Sequence, residues 1–259
     1  MKENEKKSFK EKAKEIIDVS TEGSASTISE IFLEGALGAV VPGATSVVFS
    51  YKQKRMEKNL LRFITELQER VSLIEEQFGK LGYDDQQLVR DIFAGLVCDY
   101  VIDEQEEEKI KYIANGFVSL TGSGNLQIDQ TIIFLDILKN LRFIDIRILF
   151  DRVNGFIHYV ENFNDYLIEL GISHDQYVMI KEKLLRLGLL KSSYDDDFQK
   201  IVKKVNDITD YTMSLQKGKP KKLPNNFASF KPKDRETITT SKLGRSFFEY
   251  FSGEGKKND

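Results

Sequence analysis

The residue types best suited to nucleophilic catalysis or zinc binding are scarce in this sequence, which has one cysteine, Cys98, and two histidines, His158 and His174. A nucleophilic triad needs a base within hydrogen-bond reach of a serine or cysteine, and a zinc site needs clustered Cys and His ligands. His158 lies on an aromatic helix face and His174 in a predicted turn, far apart along the chain. We therefore expect a protein that is not an enzyme, with no catalytic, metal-binding or cofactor-binding residue and no small-molecule substrate.

A run of carboxylates between residues 103 and 108 could suggest acid–base or cation chemistry. The run consists of Asp103, Glu104, Glu106, Glu107 and Glu108. Acidic residues in the first turn of a helix complement the helix dipole and are usually solvated. We therefore interpret the run as a solvated helix start, with Asp103 as its N-cap. The glycines at 122 and 124 lack the Lys-Ser/Thr ending of a phosphate-binding loop, so they predict a turn.

A basic segment over residues 216–235 is a candidate for nucleic-acid contact. Its cationic residues are Lys217, Lys219, Lys221, Lys222, Lys231, Lys233 and Arg235. Cations of this kind neutralise phosphates, and the interleaved Phe227 and Phe230 could stack on bases. Charged loops are more often simply solvated, so nucleic-acid binding is an alternative and not the leading interpretation.

Composition sets broad limits on class and compartment. A hydrophobic fraction of 41% with 31% charged residues is typical of a folded protein, and a net charge of −3 is too small to indicate a partner. A single cysteine cannot form an intramolecular disulfide, which favours a reducing compartment. Residues 1–20 contain no apolar stretch of the kind found in a secretory signal. These features predict a cytoplasmic protein.

An uncharged segment rich in small residues occupies positions 35–50. Its distinctive residues are Gly35, Gly38, Ala39, Pro42 and Gly43. The segment is shorter than the roughly 20 residues that a membrane-spanning helix needs, and Pro42 interrupts it. Glycine and alanine four residues apart allow close helix approach, and a cationic flank follows at residues 52–58. We favour a buried hairpin, with a membrane-active element over residues 31–50, peripheral to the membrane, as the alternative.

The clearest periodicity in the sequence predicts one long helix over residues 44–78. Six apolar residues follow a 4-3-4-3-4 spacing that places them on one face of that helix. This seam consists of Leu60, Ile64, Leu67, Val71, Ile74 and Phe78. The seam could pair with another helix of this chain or with its copy in a dimer.

The remaining patterns predict a mainly α protein. It would consist of an N-terminal helical hairpin, a helical bundle and a C-terminal winged-helix-like unit with a small β wing. Two short helices at 164–169 and 175–187, separated by a glycine-containing turn, have helix-turn-helix spacing. A helical run capped by the aspartates at 195–197, a strand at 237–240 and a helix at 243–251 follow. The predicted domains are a charged tail (1–27), the hairpin (28–82), the bundle (83–161) and the winged-helix-like unit with its basic insertion (162–259).

The order of several motifs resembles the abortive-infection alpha-like family of bacterial proteins. The resemblance covers roughly residues 85–251, and its motifs are Asp-Ile-Phe-Ala-Gly-Leu-Val at 91–97, Thr-Ile-Ile-Phe-Leu-Asp-Ile-Leu-Lys-Asn-Leu at 131–141 and Asp-Ile-Arg-Ile-Leu at 145–149. Leu-Gly-Leu at 187–189 and Ile-Thr-Thr-Ser-Lys-Leu-Gly-Arg-Ser-Phe at 238–247 are similar to the family's ending. An insertion over 192–236 departs from the family pattern. The resemblance implies a bacterial or prophage-borne accessory protein of phage defence and carries over no catalytic residue.

Three functional hypotheses follow from the sequence. The leading one is a non-enzymatic interaction protein of phage defence or of a prophage, which binds a protein partner or itself. The first alternative is a winged-helix DNA-binding transcriptional regulator. The second alternative is a membrane-acting effector that uses residues 31–50.

Overall fold

The computed structural model describes residues 9–18, 27–28, 30–32, 51–122, 128–156, 162–218 and 236–253. Helices account for 83% of the residues described, and one two-stranded antiparallel sheet accompanies them, which confirms the predicted mainly α class. The chain forms two compact units: residues 1–150 with 246–259 (unit 1), and residues 151–245 (unit 2). The predicted domain boundaries at residues 27, 82 and 161 stay predictions.

Unit 1 is built from helices of moderate length. They are α1 (Phe9–Asp18), α2 (Tyr51–Gln68), α3 (Val71–Lys80), α4 (Tyr83–Leu88), α5 (Ala94–Asp103), α6 (Ile110–Gly122), α7 (Ile128–Asn140) and α8 (Phe143–Val153), the last three residues of which belong to unit 2. Helix α2 packs against α1, α5 and α6 and lies at the centre of this arrangement. Phe63 of α2 contacts Phe32 edge-on, with 5.4 Å between ring centroids.

The long helix predicted over residues 44–78 is interrupted in the structure, so that prediction was wrong. Helix α2 ends at Gln68 and α3 begins at Val71, while Arg70 leaves the helical region with φ −121° and ψ 16°. Residues 44–50 lie outside the described part of the chain. No glycine or proline stands at the break, so the sequence pattern gave no reason to predict a helix end there.

Helices α4 and α5 are joined by a π-helical turn, Val89–Phe93, where the Ala94 amide bonds to the Val89 carbonyl. The next helix starts with a 3₁₀ turn, Glu107–Lys109, that leads into α6. Asp103 was predicted to cap this helix, but it is the last residue of α5. Glu104 accepts the hydrogen bonds instead, because its Oε1 lies 2.8 Å from the Gln105 amide nitrogen and 3.0 Å from that of Glu106.

The last residues of unit 1 pack onto α6 and α7 through aromatic rings. They belong to helix α12 (Lys242–Phe251), whose residues from 246 onward lie in unit 1. Phe134 of α7 contacts Tyr250 at 5.2 Å, and the Asn115 amide donates to the Phe251 carbonyl at 2.9 Å. Gly116 lies directly beneath Phe251, where an added Cβ would come 2.6 Å from the ring. The close approach of the two helices therefore depends on a glycine at this position.

Unit 2 contains the predicted helix-turn-helix pair, α9 (Phe163–Leu170) and α10 (His174–Arg186). Asn162 caps α9, and Gly171 ends it in the left-handed conformation with φ 68°. Ser173 and Gln176 form a capping box at the start of α10. These local signals explain why the helix ends agree with the sequence pattern to within one or two residues.

A short wing follows α10. Strands β1 (Leu190–Ser192) and β2 (Ile238–Thr240) pair antiparallel, with Lys191 opposite Thr239. Gly244 of α12 lies so close to β1 that an added Cβ would come 2.0 Å from the Leu189 carbonyl oxygen. Helix α11 (Ser193–Gln216) begins directly after β1, so most of the insertion that the sequence predicted stands between the two strands of the wing.

Candidate interaction surface

Helix α11 is the longest helix in the described part of the chain, with 24 residues. At 1.5 Å per residue it is about 36 Å long. Ser192 caps it, because its hydroxyl accepts from the Tyr194 amide at 3.1 Å. The aspartates at 195–197, which the sequence predicted as the cap, lie inside the helix. Among the described elements, α11 makes its most extensive contact with β1, beside which it starts. Further along α11, Lys204 and Tyr211 are partly buried and Ser214 is buried, so one side of the helix is also covered beyond its start.

An apolar stripe runs the length of α11 on its exposed surface. Its positions follow a 4-3-4-3-4-3 spacing, and we call them the α11 stripe: Tyr194, Phe198, Ile201, Val205, Ile208, Thr212 and Leu215. Phe198 is 61% exposed, Val205 53% and Leu215 47%. Thr212 is exposed as well, and its hydroxyl bonds back to the Ile208 carbonyl at 2.7 Å. Every member of the stripe is therefore exposed, and Ile201 and Ile208 are the least exposed of the apolar members at 40% each.

The spacing of the stripe is that of a coiled-coil seam. Apolar residues repeating every 3.5 residues on average form the a and d positions through which two helices pack knobs into holes. Scattered exposed apolar residues are normal on a protein surface, but a continuous apolar patch of this kind marks an interaction site. The geometry of α11 is therefore suited to binding another helix.

Charged residues on α11 alternate in blocks along the helix. Acidic residues stand at 195–197, basic residues at 200–204, acidic residues at 207–210, and Lys217 follows at the C-terminal end. Within the first two blocks, Lys200 pairs with Asp197 at 3.1 Å, one turn apart. By helical position, Lys203, Asp210 and Lys217 lie on the face of α11 opposite the stripe, so they leave the stripe itself uncharged.

The seam predicted in the N-terminal half lies inside unit 1. Leu60, Ile64 and Leu67 on α2 are buried, as are Ile74 and Phe78 on α3, while Val71 at the start of α3 is partly exposed. This seam packs against helices of the same chain and presents almost no surface to a partner. The segment Gly35, Gly38, Ala39, Pro42 and Gly43 lies outside the described residues.

The carboxylate run forms a helix start only in part: Glu107 and Glu108 lie in the 3₁₀ turn before α6, and Glu108 is exposed, but the interpretation as a solvated residue was wrong for Glu104. Glu104 is buried and pairs with the equally buried Lys109, Oε2 to Nζ, at 2.7 Å. Glu107 pairs with Lys58 and with Arg62, and the hydrogen bond from Lys58 is the main reason why the pKa of Glu107 is lowered. The run connects α2 to the start of α6, which is a structural role.

The potential catalytic residues are placed where nucleophilic chemistry is unfavourable. Burial raises the pKa of the Cys98 thiol to about 12, with a smaller contribution from Asp99, so the reactive thiolate is suppressed. His174 opens α10, and its ring lies edge-on to Phe163 with 6.4 Å between centroids. His158 lies outside the described residues. Across the described ranges, no group of three or more His, Cys, Asp or Glu side chains is placed to hold a metal ion.

The exposed residues of unit 2 that would meet DNA include both acidic and basic side chains. Helix α10 exposes Asp175 and Glu182 as well as Arg186. Lys217 is exposed just after α11 ends. The other basic residues of the predicted nucleic-acid segment lie beyond the described ranges: Lys219, Lys221, Lys222, Lys231, Lys233 and Arg235.

The α11 stripe is the candidate site that the sequence did not identify as a surface. The sequence predicts a helical run from Phe198 to Ile208, and the 3-4 spacing seen in the seam at 60–78 continues to Leu215. Periodicity reveals which face of a helix is apolar but does not reveal what covers that face. Only the structure distinguishes the buried seam from the exposed stripe.

None of the helices described combines the length and the apolar character that a membrane crossing requires. Comparison with protein-family models, with curated proteins and with solved structures finds no match to this chain.

Proposed function

We propose that this chain is a non-enzymatic interaction protein that binds a helical partner through the α11 stripe. The observation that carries this proposal is the heptad spacing of apolar residues along a helix whose stripe is uncovered. An isolated helix in water gains little from such a stripe, whereas a paired helix buries it.

The biological setting that we propose is bacterial defence against phage, with the chain acting as an accessory or effector protein, or the equivalent role for a prophage. The motifs at residues 91–97, 131–141 and 145–149 support this setting through their resemblance to the abortive-infection alpha-like family. We propose a cytoplasmic location, since the sequence has one cysteine and therefore no intramolecular disulfide, which suits a reducing compartment.

A phage challenge tests the proposal. Bacteria that express the unaltered chain should resist infection, and Val205→Glu or Ile208→Glu on the stripe should abolish resistance at unchanged protein abundance. Ile168→Glu is the matched control, because Ile168 is 75% exposed on α9 and lies off the stripe. Resistance that survives both stripe variants would contradict the interaction role, and a wild-type chain that protects against no phage would contradict the defence role.

A second candidate function is DNA binding by a winged-helix transcriptional regulator. The observation that favours it is the order of elements in unit 2: α9, a turn that begins at Gly171, α10, and then the β1–β2 wing. The exposed carboxylates on α10 oppose it, since the phosphate backbone repels them.

The membrane-acting effector through residues 31–50 ranks third among our hypotheses. Anionic vesicles loaded with dye provide its test: release by the wild-type chain that is lost in Val41→Glu and Val48→Glu would support it. We expect no release, because residues 35–50 are fewer than a spanning helix needs.

A further inference from the structure

We draw no further inference here: the strongest candidate, the exposed apolar stripe along α11 in unit 2 as the docking surface for one particular partner, carries nothing beyond the proposed function, because nothing in the described part of the chain shows what covers it.

Discussion

Glu104 and Lys109 form a buried ion pair in which Lys109 Nζ lies 2.7 Å from Glu104 Oε2. The other carboxylate oxygen accepts from two backbone amides, and Asn59 of α2 donates to the Glu104 carbonyl at 2.9 Å. A single loop therefore joins the end of α5, the start of α6 and the middle of α2. The charges in the loop serve the architecture of unit 1.

Removing one member of this pair should be costly. We expect Lys109→Met to lower the free energy of unfolding by about 3 to 5 kcal/mol, because it leaves a buried carboxylate without its cation. Lys139→Met is the matched control, since its partner Asp103 is 3.3 Å away and both side chains are 54% exposed. That change should cost less than about 1 kcal/mol. Urea titrations measure both values, and equal costs would refute the structural role of the pair.

Two helical glycines should respond to alanine in opposite directions. At Gly244 an added Cβ would come 2.0 Å from the Leu189 carbonyl oxygen, so Gly244→Ala should destabilise the protein by about 1 to 3 kcal/mol. At Gly79 an added Cβ meets nothing within 4 Å, so Gly79→Ala should stabilise α3 by roughly 0.5 to 1 kcal/mol. Thermal melts of both variants provide the measurement. Tolerance of Gly244→Ala would mean that α12 and β1 do not approach as closely as described.

The thiol of Cys98 should be unreactive in the folded protein. Burial raises its pKa to about 12, so at pH 8 to 9 the native thiol stays protonated, whereas in the unfolded chain it ionises in the ordinary range. Alkylation at pH 8 should therefore proceed only at the rate of unfolding and should accelerate in denaturant. Because the folded pKa is the higher one, this group's contribution to stability is complete at neutral pH and declines as the pH rises above about 9. Rapid alkylation under native conditions would contradict the burial.

The two heptad patterns show how far the sequence predicts the fold. The spacing at 60–78 and the spacing at 194–215 are alike, and both form helices with the apolar face where the pattern puts it. The first face lies in the core and the second is exposed, because the arrangement of the remaining helices decides what covers each one. The sequence contains no local signal for that arrangement.

Local polar chemistry was harder to predict than periodicity. By residue type, Asp103 and Glu104 are equally good candidates to accept hydrogen bonds from the backbone amides before α6. Glu104 takes this role because Lys109 and Asn59, from other parts of the chain, hold it in place. The helix break at Arg70 likewise could not be predicted, because no glycine or proline lies there. By contrast, the helix-turn-helix ends were predictable, since Asn162, Gly171 and Ser173 act through contacts within a few residues.

DNA binding by the unaltered chain should be weak. Asp175 and Glu182 are exposed on α10, so we expect a dissociation constant for duplex DNA above about 100 µM at 150 mM salt, the weak end of non-specific binding. Replacing both by lysine should produce measurable, salt-dependent binding in fluorescence anisotropy. Micromolar binding by the wild type, weakened by alanine at the basic residues, would instead favour the regulator. Those residues are Lys217, Lys219, Lys221 and Lys222.

A phage challenge with stripe variants tests the central claim most directly. The account predicts that bacteria expressing the unaltered chain resist infection, and that Val205→Glu or Ile208→Glu abolishes this resistance at unchanged protein abundance, because a charge would enter the apolar contact. Ile168→Glu, on the exposed surface of α9, should leave resistance intact. Resistance that survives both stripe variants would contradict binding through the α11 stripe.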